Sequence, residues 1–153
     1  MTTLDDIYSD RILALAADIP HSSRLAHPDA TATAHSKLCG STVTVDIAMD
    51  GETISDFGQS VKACLLGQSS AAIVGHHIVG TTAEEFHRVA SEVRRMLKEG
   101  ASPPTGRWAD LEVLEPVRDY KARHASTLLV FDAVERAIAE VKEKRRSGAA
   151  TSH

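Results

Sequence analysis

Hydrophobic and polar positions change rhythm several times along the chain, and each change marks an element. Over 4–19, Ile12, Leu15, Ala16 and Ile19 recur at helical spacing and predict an amphipathic helix that Pro20 ends. The stretch 21–33 is polar, contains Pro28 and reads as an irregular link, with a short extended segment over 32–36. From Thr42 the period becomes two. Val43, Val45, Ile47 and Met49 point one way, and Thr42, Thr44, Asp46 and Ala48 the other, as in a half-buried antiparallel strand. Asp50-Gly51 is suited to a type I′ turn, which needs two residues with positive φ. A return strand over 52–62 carries Ile54, Phe57 and Val61. The three-residue step from Ile54 to Phe57 breaks the alternation, and a bulge near Ser55-Asp56 repairs it.

Beyond the hairpin the pattern is helical. The run 64–79 has a face of Gly67, Ser70, Ala71, Val74 and Gly75, small enough for another backbone to approach closely, and Gly80 stops it. Thr81-x-x-Glu84 reads as a capping box for a helix bearing Phe86, Val89, Ala90, Val93, Met96 and Leu97, which ends at Gly100. A loop over 101–106 contains Pro103-Pro104. A short helix over 107–114 holds Trp108 and is broken at Leu114-Glu115-Pro116-Val117-Arg118. The last helix, 126–144, turns Val130, Phe131, Val134, Ala137, Ile138 and Val141 inward. The charged stretch from Glu143 should fray, with 145–153 a disordered tail. No repeat or linker divides 1–144, which reads as one domain.

Composition narrows the function. With 42% hydrophobic and 25% charged residues, 153 residues suit one globular core, and 4% aromatics imply a core built mainly from Ala, Val, Leu and Ile. A net charge of −4 argues against a nucleic-acid surface. No apolar run approaches the roughly 18 residues of a membrane span. The acidic start MTTLDDIYSD is unlike a secretion signal. A cytoplasmic location is therefore expected. In that reducing compartment two cysteines are free thiols or metal ligands rather than a disulfide.

Those cysteines, 25 residues apart, flank the hairpin, which folds them back to one end. Cys39 precedes Gly40, which lets the backbone turn and leaves the sulfur in a loop. Cys64 stands where strand meets helix, with Lys62 nearby, so helix amides and a cation both favour thiolate, the form that binds metal and accepts sulfur. The plainer reading of either is a small apolar core residue. Among the histidines, His76 and His77 lie about three turns along the helix that Cys64 opens, too far to share an ion with it. His35, four residues before Cys39, is close enough in sequence to approach a site but reads better as a solvated loop residue, and His153 belongs to the tail. His124 is crowded by Arg118, Lys121 and Arg123, which disfavour imidazolium and keep the ligating form; the same basic cluster can equally be a solvated face or a patch for an acidic partner. There is no phosphate-binding glycine loop, G-x-S-x-G, H-E-x-x-H or C-x-x-C.

The order of these features resembles the NifU/IscU/SufU family of iron–sulfur cluster assembly scaffolds: Cys-Gly-x, a hairpin, a Cys opening a small-residue helix, a second helix, then a basic segment with a His before the final helix. Lys62-Ala63-Cys64 followed by Gln68-Ser69-Ser70-Ala71 is similar to the family's Gly-Cys-x-x-Ser-x-Ala-Ser segment. Leu114-Glu115-Pro116-Val117-Arg118 is faintly similar to its Leu-Pro-Pro-Val-Lys chaperone-docking motif, and Val117-Arg118 with Thr127-Leu128 echoes the SufU branch. The chain departs from the pattern in having Ser41 for the Asp of Cys-Gly-Asp, Ala63 for the Gly before the second cysteine, and no third cysteine. Aligned with the family's His-Cys-Ser, Ala125 takes the place of that cysteine; shifted by one, His124 does.

The resemblance implies an α+β, SufE/NifU-like fold: a small three-stranded antiparallel sheet covered by about five helices. It implies a ligand set of Cys39, Cys64 and His124, with Ser41 a poorer fourth, and Cys39 or Cys64 as sulfur acceptor. Such a set suits iron or a transient [2Fe–2S] cluster, or Zn²⁺ with its fourth position open. The implied partners are a cysteine desulfurase, apo-protein acceptors and a chaperone. The implied function is a cluster scaffold. The alternatives are a zinc-binding, SufU-like sulfurtransferase and a metal-free module that regulates the desulfurase.

Overall fold

A computed structural model describes residues 9–36 and 40–151, with side chains as far as 147. Cys39, His153 and the first positions of the predicted N-terminal helix lie outside the described residues. The elements are α1 (Asp10–Ala17), β1 (Ala30–His35), β2 (Thr42–Asp50), β3 (Thr53–Lys62), α2 (Leu65–His77), α3 (Ala83–Glu99), a 3-10 segment (Gly106–Asp119), a 3-10 turn (Lys121–Arg123) and α4 (His124–Thr151). The antiparallel sheet runs β1-β2-β3. The fold is thus the α+β arrangement expected, with four described α-helices and one long 3-10 segment.

The inner face of the sheet is the one the period-two pattern marks. Val43, Val45 and Ile47 are fully buried and Met49 nearly so. α4 lies across β1 and β2 on this side, and α2 packs between α4, β3 and α1. All three Phe residues and the one Trp are buried in the otherwise aliphatic core. Phe86 stacks on Phe131 at 5.9 Å and meets Trp108 edge-on at 5.8 Å. The bulge falls where the broken alternation requires: Ala48 pairs with Asp56 but Met49 with Ile54, leaving Ser55 as the extra residue.

Several boundaries differ from the sequence reading. Asp50 pairs with Thr53, so the turn is Gly51-Glu52, and only Gly51 has positive φ, at 64°. Glycine in the first central position with no second left-handed residue excludes type I′ and fits type II′. The cap of α3 is Thr82, whose Oγ1 accepts from the Glu85 amide at 3.1 Å; Thr81, one residue earlier, instead donates to the His77 carbonyl. The segment around Trp108 runs through Pro116 to Asp119 as 3-10 turns rather than breaking at 114–118. Its buried residues, Trp108, Leu111, Leu114 and Val117, recur every third position, matching three residues per 3-10 turn. The last helix starts at His124 and, where fraying was expected from Glu143, continues to Thr151. Arg145 there donates to the carbonyls of Gly51 (2.5 Å) and Met49 (3.2 Å) at the hairpin turn.

The outer face of the sheet is not solvated at its centre. Thr31, Asp46 and Gly58 form a row across the three strands. The link before β1 crosses it as a strap. Asp46 is fully buried and takes two bonds from Arg24 (2.6 and 3.0 Å), one from the Leu25 amide (3.0 Å) and one from the Thr31 hydroxyl (2.5 Å). Burial alone raises its carboxyl pKa; the bonds from Arg24, Thr31 and Leu25 outweigh that and hold it below the ordinary range. A Cβ on Gly58 would lie 2.3 Å from the Ser23 carbonyl oxygen, so only glycine lets the strap sit this close. The His21 carbonyl accepts from the Gln59 amide at 2.8 Å and ties the strap to β3.

Candidate functional site

The hairpin returns its open end to the junction of β3 and α2. Cys64 caps α2 with extended backbone but makes no side-chain cap bond. Its half-buried thiol is aimed elsewhere, donating to the Ser126 hydroxyl at the head of α4 at 3.4 Å. Ser126 Oγ in turn donates to the Arg123 carbonyl at 3.2 Å. The Cys64 amide donates to Ser41 Oγ at 3.4 Å. Ser41 is 3% exposed and stands two residues after Cys39 in the sequence. The Ser36 amide donates to the Ser41 carbonyl and the Gly40 amide to the Ser36 carbonyl, both at 2.9 Å. Ser41, Cys64 and Ser126 therefore converge from three parts of the chain.

Close packing makes the convergence possible. A Cβ on Gly67 would lie 2.7 Å from Ala63 Cβ and 3.2 Å from the Ser126 carbonyl oxygen. One at Gly75 would meet Pro20 Cγ at 2.8 Å and Gln59 Nε2 at 3.0 Å. The small face of α2 is thus what admits both the head of α4 and the strap.

His124 is buried and its Nε2 faces the carbonyl oxygens of Val117 (3.1 Å) and Arg118 (3.2 Å). Carbonyl oxygens only accept, so Nε2 carries a proton, and in the neutral ring Nδ1 keeps the lone pair. A histidine fixed through one nitrogen to carbonyls is the usual arrangement of a metal ligand that binds through the other. Cys39 is outside the described residues, and among those described no group of three or more His, Cys, Asp and Glu is placed to hold a metal ion. The Ser126 hydroxyl, two residues beyond His124, is the described side chain of α4 that touches the Cys64 sulfur. Its sequence signal was its place in the His124-Ala125-Ser126 alignment, where attention falls on the missing cysteine.

His35 and His76 are exposed. His77 packs against Trp108 at 5.6 Å and its Nε2 meets Asp110 at 2.8 Å. The hydrogen bond from His77 and the charges of His77, Arg11 and His76 lower the Asp110 carboxyl pKa against a smaller opposing effect of burial. Asp46, Asp110 and the Arg94 pair with Asp132 and Glu135 hold elements together rather than belonging to the thiol corner.

No protein-family model matches the chain. The iron–sulfur cluster assembly scaffold protein IscU of Thermotoga maritima is 23% identical over 137 residues, which span 88% of this chain and 94% of that one. The crystal structure of the N-terminal part of a nitrogen-fixing NifU-like protein from Brucella abortus shares 52% identity and superposes with a TM-score of 0.91. That match covers 92% of this chain and 98% of that one. A protein described as an iron–sulfur cluster assembly scaffold of the SUF system, from Fervidobacterium islandicum AW-1, shares the fold at a TM-score of 0.81 and 20% identity. It matches 89% of this chain and 99% of its own.

Proposed function

This chain belongs to the NifU/IscU/SufU family of iron–sulfur cluster assembly scaffold proteins, and on that premise we propose that it receives iron and persulfide sulfur and passes the assembled cluster to acceptor proteins. The observation that carries the reading is the meeting of Cys64 with Ser41, two residues along the chain from Cys39, and with the head of α4. Cys39 and Cys64 are the thiolates that hold iron and take up sulfur. His124 supplies Nδ1, since its Nε2 proton is committed to backbone carbonyls. Ser41 is at most a weak oxygen ligand, its hydroxyl being engaged by the Cys64 amide. Two thiolates and one imidazole grip a [2Fe–2S] cluster loosely, which suits a cargo that must leave. A cysteine desulfurase delivers the sulfur, in the cytoplasm, and apo-proteins take the product, with a chaperone assisting.

Anaerobic reconstitution with iron, sulfide and reductant tests this. The expected result is visible charge-transfer absorbance with equimolar iron and sulfide, lost in Cys39→Ser and in Cys64→Ser. Absence of such absorbance in the unmodified protein overturns it. A second reading is favoured by the count of ligands. Three nitrogen and sulfur donors with an open position also suit Zn²⁺, and the protein would then relay sulfur on a metal-bound thiolate. About one zinc per chain after purification without chelators, and no sulfide, would select that reading. Desulfurase binding unchanged in a metal-free Cys39/Cys64 double variant would instead select a regulatory module.

A further inference from the structure

A groove of about 430 Å³ separates the last turn of α3 from the head of α4, lined by Leu97, Lys98, Arg118, Lys121, His124 and Ala125. Three of these six carry fixed positive charge and none is acidic, in a chain whose net charge is −4. Among the described residues the side chains of Lys98 and Lys121 have no ion-pair or hydrogen-bond partner. Arg118 has a 3.6 Å contact with Glu115 on the preceding turn, with both side chains about two-fifths exposed and hence weakly coupled. The Val117 and Arg118 carbonyls, at the negative end of the 3-10 segment, are taken up by His124. The groove is thus a cluster of cations with little to balance it, walled by the short apolar side chains of Leu97 and Ala125. Ala125 is followed by Ser126, which holds the Cys64 sulfur, so groove and thiol share the head of α4.

We propose that this groove binds a small polycarboxylate anion, either free or as the ligand shell of the iron the protein receives. The second source rests on the scaffold reading above; the first does not. Three cations in a groove that shares the head of α4 with the thiol repel bare Fe²⁺, whereas carboxylates wrapped around the ion reverse the sign of what approaches. Carboxylate oxygens are ordinary ligands for such an ion, and the thiolates are softer ligands to which it can then pass.

The test uses citrate as the probe. Titrated into metal-free protein at low ionic strength, citrate should shift the amide resonances of Lys98, Lys121 and Ala125 saturably. Affinity should fall about tenfold in Lys98→Ala/Lys121→Ala, as expected for the loss of two partly exposed ion pairs. It should also weaken in 0.5 M salt, where screening shortens to a few Å. Cluster formation is then followed with ferrous citrate and with ferrous ammonium sulfate. Slower assembly in the double variant from the citrate complex alone assigns the chelated source; equal rates with retained citrate binding assign the free anion and overturn the iron half. If neither iron source gives a cluster, the scaffold reading fails while the titration still decides the groove. No saturable shift, or equal shifts in the double variant, overturns the proposal. So does a glutamate-rich peptide that shifts these resonances where citrate does not, which would make the groove a protein-docking surface.

Discussion

At the scale of single residues, the thiol corner is defined by what holds Cys64 and by what is missing beside it. Ala125 is exposed and precedes the serine that touches the sulfur. A thiolate supplied there by Ala125→Cys should slow the loss of a reconstituted cluster to a chelator. A gain of about 1.4 kcal/mol would lengthen the half-life of visible absorbance roughly tenfold; an unchanged half-life would place Ala125 away from the metal. Asp46 shows a different residue-scale effect. Its folded pKa is depressed, so its contribution to stability is complete above its unfolded value of about 3.9 and is lost as pH falls through the folded value. Melting temperature should therefore fall more steeply below about pH 4 in the natural protein than in Asp46→Asn. At neutral pH that variant should be about 2 kcal/mol less stable, the cost of removing charged hydrogen bonds at a buried site. The sequence pattern places Asp46 on the face opposite the core, which is correct. Its burial was not legible, because Arg24 reaches it from a link with no periodicity of its own.

At the scale of elements, the sequence reads best where side-chain rhythm and backbone geometry agree. The strand pattern of β2 and the bulge in β3 follow from alternation and its interruption. The 3-10 segment carries an equally clear signal, an apolar residue every third position, but a search for periods of two and 3.6 passes over it. The cap of α3 shifted by one because Thr81-x-x-Glu84 and Thr82-x-x-Glu85 are alternatives in sequence. Packing decided between them: Thr81 is buried, and the Glu85 carboxylate accepts from Trp108 Nε1 at 3.1 Å. The small face of α2 gives a sharper test. Gly67→Ala puts a methyl 2.7 Å from Ala63 Cβ and 3.2 Å from the Ser126 carbonyl. Destabilisation by about 1–3 kcal/mol in denaturant unfolding is expected, since neither neighbour is the end of a flexible side chain. Because Ser126 must move, cluster yield should fall further than stability alone explains; equal effects on both would separate the close approach from the site.

At the scale of the whole molecule, one core joins the three strands, the four α-helices and the 3-10 segment. Trp108, the sole tryptophan, is buried against Phe86 and His77 and reports on the packing of α3, α2 and the 3-10 segment together. Its emission should shift to the red in a single urea transition that coincides with loss of helical circular dichroism. Two separated transitions would show that the 3-10 segment is released from the rest first. The architecture was legible from the order of elements and from the two cysteines that flank the hairpin. The basic cluster of Arg118 and Lys121 beside His124 was legible too, but the contribution of Lys98 was not, since it joins them only through the packing of α3 against the 3-10 segment. Among the described residues no helix is long and apolar enough to cross a membrane.

α4 touches the hairpin near both extremities, through Ser126 at the thiol and Arg145 at the turn. The helical span between those residues is about 28 Å at ~1.5 Å per residue, and β2 covers about 27 Å at ~3.4 Å per residue. The helix is therefore a ruler matched to the strand it measures. Deleting one residue from its middle would shorten it by only about 1.5 Å but rotate one half against the other by about 100°. Either the guanidinium or the hydroxyl would then point into empty space, so this chain tolerates changes of length in its loops far better than in its longest helix.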